Sequence, residues 1–523
     1  MRMSKAGVAA TMAAMLAAGH AVAQTDQTLS SHAPAEGSVY VRCDGFPPHR
    51  SAGELAARIL LIMATAGLAG PGEKADVNKR LSGADGVAAC TAALAGETDE
   101  IRKVQLTLAR AVHYIEAKDY QSALSDAQVA PTLAGAKTND FGFQHSLMLS
   151  SLELQAYALV YLNRPAEAEA TALTMAEIAP YDVIAQERAG RFVGLTADLT
   201  PAKKAYFERA AKITPSGALY YAHAYEWIGD YTTAAGLYQA VLERIDGFKN
   251  DKTPPVPQPA LEAGHAIALA MAGHLAESNA IAAATRKEID ALMQNGQSAP
   301  WQSVVNSAEE ELDFQAIAAD FAAGKVAQAR AAFAARSRWT ATPAAAVADL
   351  TERLRKGAPA DALTGALARD PASIRSDSHS AWAGALTSEA DNQKNLLYSA
   401  IRPLTSMDQY NHWNDDIRQT TDSPFLPKKN GKETYTGDFV FMPRANGIPT
   451  GEALLMHCAL LARAQGKAGF MLNSYRPRLD AAIVRFGNPG DPGMPASLFI
   501  DAATVIAALS GEFPDPAVKT AKH

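Results

Sequence analysis

Cysteine is nearly absent from this 523-residue chain: three in all, Cys43, Cys90 and Cys458. Three thiols with no CxxC pair exclude a zinc ribbon, a thioredoxin-type centre and a disulfide-dense miniature fold. Aromatic residues are scarce at 7 % while alanine is abundant, a balance that favours closely packed helices over a sheet-dominated fold. There is no basic block, and the formal net charge is -7, so the electrostatic footprint of a nucleic-acid-binding protein is missing. Beyond the N-terminus no segment reaches the roughly 18 uninterrupted apolar residues that span a bilayer. Catalytic signatures are missing as well: no HExxH, GxSxG, Walker loop or strand-borne GxGxxG. These absences imply neither a metal nor an organic cofactor.

What is present is a globular composition, 48 % hydrophobic and 20 % charged, in a chain long enough for several domains or one repeat array. The start has the form of a secretory signal. Arg2 and Lys5 make a positive head, 6–19 is a short apolar run, and Ala21-Val22-Ala23 fits the small-x-small rule. Cleavage after Ala23 and export to a bacterial periplasm are therefore expected. In that oxidising compartment Cys43 and Cys90, both near the mature N-terminus, are the natural disulfide pair. Cys458 sits in an apolar helical run and reads as a small buried residue.

Residues 24–50 are polar and turn-rich. The spacing of Leu55, Ile59, Leu60 and Met63 predicts a helix over 51–67, broken at Gly70-Pro71-Gly72, and another helix covers 86–95. From there the chain runs helix after helix, and a pattern recurs. Its best copy is Ala222-x2-Tyr225-x3-Gly229-x-Tyr231-x2-Ala234-x3-Tyr238-x2-Val241-Leu242. Further copies carry Ala111, Tyr114, Tyr120, Ala123, Ala127 and Ala130; then Ala156, Leu159, Pro165, Ala168, Ala172, Met175 and a closing Pro180; then Ala266, Leu269, Gly273, Leu275, Ser278 and Ala282; then Ile317, Gly324, Val326, Ala329 and Phe333.

These segments resemble tetratricopeptide repeats, over about 86–337. In that family each repeat is a pair of antiparallel helices, with small residues where they cross and large residues around them. Two features depart from the family: alanine replaces its usual first-helix glycine (Ala111, Ala222, Ala266), and the copies are unevenly spaced. The resemblance implies a mainly α fold, a solenoid of helical hairpins. It also implies a concave binding face made by the first helix of each repeat. On matching positions that face holds Leu108 and Val112, then Glu153, Tyr157 and Tyr161, then Leu219, His223, Glu226 and Trp227. Aromatics with a few carboxylates suit capture of an extended or helical peptide.

Residues 338–405 read as further helices, clearest at 343–354 and 359–367, with Pro343 and Pro359 as starts and Gly357 as a stop. After that the character changes. The stretch 406–434 is polar and turn-rich; 435–442 alternates like a strand; 449–465 is a helix ending at Gly466; strands are expected at 469–473, 481–486 and 496–500; and Asp501 caps a last helix to Leu509. Residues 406–515 thus form a small α+β module, with 516–523 a tail. Its chemistry is sparse. Gly487 to Gly493 is Gly-rich but holds two prolines, which cannot offer a backbone N–H to a phosphate. His412, Asp415 and Asp416 are the kind of loop cluster that arises by chance. His457 and Cys458, adjacent on a helix, point about 100° apart and cannot form a dyad.

The reading that results is an exported, non-enzymatic scaffold holding a protein or peptide partner of the cell envelope. One rival is an enzyme whose site lies in the C-terminal module, with Arg476, Arg478, Asp480, Arg485 and Asp491 as its polar groups. Another is a self-associating structural protein of the envelope.

Overall fold

The computed structural model describes residues 37–48, 73–214, 216–248, 258–294, 302–393, 395–404, 438–441, 450–476 and 481–513. The signal segment, the helix expected at 51–67, the stretch 406–434 with His412, Asp415 and Asp416, and the pair Arg478 and Asp480 lie outside them. The described chain is mainly helical, with a small sheet near its C-terminus.

The helices are α1 (Val39–Asp44), α2 (Gly83–Gly96), α3 (Glu100–Glu116), α4 (Tyr120–Val129), α5 (Leu149–Tyr161), α6 (Pro165–Ile178), α7 (Val183–Gly190), α8 (Pro201–Ile213), α9 (Gly217–Trp227), α10 (Tyr231–Gly247), α11 (Pro259–Ala272), α12 (Leu275–Gln294), α13 (Gln302–Ala322), α14 (Val326–Ala334), α15 (Ala344–Arg355), α16 (Pro371–Asn392) and α17 (Leu396–Ser399). Their starts are set locally. Asp99, Asp119, Thr200, Asp230 and Asp370 accept first-turn N–H groups of α3, α4, α8, α10 and α16, satisfying donors that have no partner inside the helix. Proline occupies the first turn of α6, α8, α11 and α16, where its missing N–H costs nothing.

Five hairpins close with one and the same turn: α3–α4, α5–α6, α9–α10, α11–α12 and α13–α14. Each has a left-handed residue, namely Lys118 (φ 62), Asn163 (φ 56), Gly229 (φ 78), Gly273 (φ 88) and Gly324 (φ 82). The next residue donates its N–H to the carbonyl five residues back, at 2.9–3.0 Å, on Tyr114, Leu159, Tyr225, Leu269 and Asp320. This closure satisfies the last carbonyls of the first helix and reverses the chain. Where helices cross, Ala111, Ala123, Ala156, Ala168, Ala222, Ala234 and Ala266 are wholly buried. Side chains that small let the backbones approach closely, while Tyr157, Tyr231 and Tyr238 fill the space around them.

At the N-terminal end a Cys43–Cys90 disulfide joins α1 to α2. Arg102 pairs with buried Asp44 at 2.5 Å, and His113 Nε2 donates to the Cys43 carbonyl at 2.7 Å. Two expectations fail. Residues 359–367 form not a helix but two single 3-10 turns, Ala360–Ala362 and Gly365–Ala368. Gly365, which opens the second turn, is left-handed (φ 53), and a Cβ there would meet the Ala334 carbonyl oxygen at 2.0 Å. The strand expected at 496–500 is a 3-10 turn, Ala496–Leu498, followed by two extended residues.

The C-terminal elements are β1 (Asp438–Phe441), α18 (Thr450–Ala464), β2 (Gly469–Arg476), β3 (Ala481–Gly487), β4 (Ile500–Asp501) and α19 (Ala502–Leu509). The sheet order is β1-β3-β2-β4, antiparallel throughout. Phe470 and Leu472 of β2 face α18 and α19, in a core that also takes Val183 and Ile213 from the helical array. Met471 points the other way, to Met494, Phe499 and Phe248 beyond α10. Period-2 alternation thus buries both faces of β2.

Candidate helix-binding face

The residues expected to line a groove fall into two groups. Leu108 and Val112 are wholly buried in the main core, because α3 is covered by α2 on one side and by α4 and α5 on the other. Glu153 is also buried, its carboxylate paired with Arg188 at 2.7 Å. Tyr157 is buried edge-on against Phe192, and Glu226 is buried. These five are core or second-layer residues, which corrects the expectation of a lining role. Leu219 is half-buried against the main core.

Tyr161, His223 and Trp227 do reach the surface layer, and two of them meet the same object: the chain's own helix α16. The Tyr161 hydroxyl donates to Asp391 at 2.6 Å and lies 3.1 Å from the Thr387 carbonyl, while its ring stacks on Tyr120 at 4.6 Å. Burial, then the Asp391 carboxylate, pushes this phenol's pKa up. Trp227 lies against His379, with ring centroids 4.7 Å apart, and Arg375 sits 5.7 Å from its ring.

Arg191, just past α7, ties the layers together. It donates to the Tyr157 hydroxyl at 2.7 Å and to Glu389 at 2.7 Å, and its carbonyl accepts the Trp382 indole N–H at 2.8 Å. Burial raises the Tyr157 phenol to about 12, with Arg191 opposing. His379 bonds the Gly194 carbonyl at 3.2 Å. Arg375 pairs with Asp349 of α15, which also accepts the Tyr231 hydroxyl at 2.7 Å. Beside this contact His223 bonds Glu226 at 2.8 Å, and the Tyr238 hydroxyl donates to the same carboxylate at 3.1 Å. Burial disfavours the His223 cation, but Glu226 outweighs it and raises the pKa. The His223 side chain is 43 % exposed.

Sequence reasoning missed α16 as a contributor. The available signal was negative: Asp370-Pro371 opens a 22-residue helix in which only Ile374, Leu386 and Ala390 are buried. A helix with no continuous apolar stripe has to be held by polar contacts.

Of the C-terminal candidates, the two whose side chains are described serve backbone and not each other. Arg485 donates to the Gly247 carbonyl at 2.8 Å, and Asp491 accepts the Asn488 N–H at 2.8 Å, both shaping backbone. Arg476 belongs to β2 and pairs with Ala481. A buried polar link does join the module to the array. His145, in a π-turn (Gln144–Met148), bonds Glu452 of α18 at 2.9 Å, and nearby Arg402 contacts Asp182 at 3.3 Å. Burial pushes the Glu452 pKa up, opposed by His145. Cys458 is free and wholly buried, its thiol pushed up by burial. Among the described residues no group of three or more His, Cys, Asp or Glu side chains is disposed to hold a metal, and no helix is long and apolar enough to cross a membrane. No protein-family model, curated protein or solved structure matches this chain.

Proposed function

We propose that this chain is an exported, non-enzymatic scaffold, a tetratricopeptide-like helical array whose concave face holds a helical segment of another envelope protein. One observation carries the reading: Tyr161, Arg191, Gly194 and Trp227, from separate parts of the array, all contact one helix laid across them. Five identical hairpin turns support the repeat resemblance. Aromatic rings with a central arginine are the residue types that anchor protein interfaces, and helix-in-groove binding uses such a face. The test is capture of partners from a periplasmic extract of the producing bacterium by residues 24–523, beside Trp227→Ala and Tyr161→Phe. Capture that falls in both variants supports the reading. Equal capture by all three removes this face as the binding surface.

A further inference from the structure

Resting on that reading, we infer that α16 is a displaceable occupant of the face, and that the natural partner is a helix repeating its polar pattern. α16 is long yet poorly buried. Its apolar anchors are Ile374 near one end and Leu386 and Ala390 near the other; none of the residues from 375 to 385 is fully buried. It carries five serines and Gly384, residues that weaken a helix in isolation. Its helical form therefore depends on the surface under it. An element with few buried apolar contacts and exposed hydrogen bonds opens at low free energy, well before the domain unfolds. Both ends are fastened: α16 packs on α15, and Leu397 and Ala400 sit in the main core. Opening is thus melting of α16 between α15 and Leu397, not departure of the segment.

The contacts define what could replace it. Arg375 reaches the Asp349 carboxylate and the Trp227 carbonyl. His379 and Trp382 donate to the Gly194 and Arg191 carbonyls. Glu389 and Asp391 take donors from Arg191 and Tyr161. The matching ligand is a helix with a cation near its start, an aromatic N–H two turns on, and two carboxylates near its end. On displacing α16 it would pair Arg191 and Asp349 again, leaving neither charge bare.

The probe is a labelled synthetic peptide of residues 370–393, titrated into full-length mature chain. Wild type should bind it weakly, since α16 competes in cis. Glu389→Ala/Asp391→Ala in the full chain, which removes two charge-assisted hydrogen bonds that hold α16, should tighten peptide binding at least about tenfold, the share of one such bond. A peptide carrying the same two changes should lose a similar factor. Trp382→Ala, at an indole 38 % exposed, replaces the double variant should that misfold. Hydrogen exchange of 371–392 should outpace α5 and α11, quicken further when the wild-type peptide is added, and stay unchanged when the variant peptide is added. The inference is overturned if those amides are as protected as α5, or if no chain binds the peptide with a Kd below about 1 mM. Trp227-dependent capture of an envelope partner without peptide binding would overturn displacement alone. Peptide exchange without capture would instead sink the scaffold reading.

Discussion

Acid should loosen the C-terminal module through one residue, His457. It sits on α18 with 4 % exposure, its Nδ1 buried and without a hydrogen-bond partner. Burial pushes its pKa down to about 4, from an ordinary value of about 6.5. The neutral ring is the form that folds. Above pH 6.5 neither state takes up a proton and the linkage is silent. Below it the unfolded chain binds a proton that the folded one refuses, so stability falls by roughly 1.4 kcal/mol per pH unit until about pH 4. Glu452 acts in the opposite sense: a carboxyl raised by burial favours the folded state on protonation. The His457 share is therefore isolated by difference. In His457→Leu the ring cannot titrate, and an apolar side chain suits a helix whose Leu454 and Leu460, about one turn to either side, are buried in the core of the module. Hydrogen exchange of α18 and β2 amides, followed from pH 7.5 to 4.5, gives the module's opening free energy in both proteins. The variant should gain about 2.5 kcal/mol on wild type across that range. Parallel pH curves would refute the reasoning.

Other expectations are as specific. Gly86→Ala on α2 would place a Cβ 2.1 Å from His113 Nδ1, and this ring is held at both nitrogens by Glu116 and the Cys43 carbonyl. A loss of about 1–3 kcal/mol from overpacking should appear as a lowered Tm. Arg102→Ala leaves Asp44 buried without its charge partner and should cost about 3–5 kcal/mol, whereas Arg102→Met with Asp44→Leu should recover most of it, by chemical denaturation. Lys118→Gly should stabilise by about 1 kcal/mol, because a lysine at φ 62 carries left-handed strain that glycine does not; an unchanged Tm would count against strain at that turn.

Local chemistry in the chain was legible. Asp501 accepts the Thr504 N–H at 2.7 Å, as a capping residue ahead of an apolar run should. Gly229, Gly273 and Gly324 mark their turns, and the register around Tyr225 places Tyr231 and Tyr238 in the interior. Lys118 shows where this stops: nothing in a lysine announces a left-handed turn, and only the surrounding hairpin imposes it. The face shows the same boundary more sharply. Leu108 on a doubly covered helix and an apolar residue on an open one have the same periodicity, so spacing cannot separate them. What covers Tyr161 is Asp391, 230 residues away, through a contact that leaves no periodic trace in either segment. The long-range polar bonds of α16 are therefore visible only once the chain is folded.

The two-sided burial of β2 has a consequence for cutting the chain. A fragment ending at α17 would strip the cover from Phe248, Val183 and Ile213. One beginning at α18 would bare Met471, Met494 and Phe499 together, an apolar patch of the kind that drives association. Neither half offers a clean edge, so fusions, tags and insertions belong elsewhere. The seam between array and module is the place where a dissected version of this protein would become sticky rather than simply shorter.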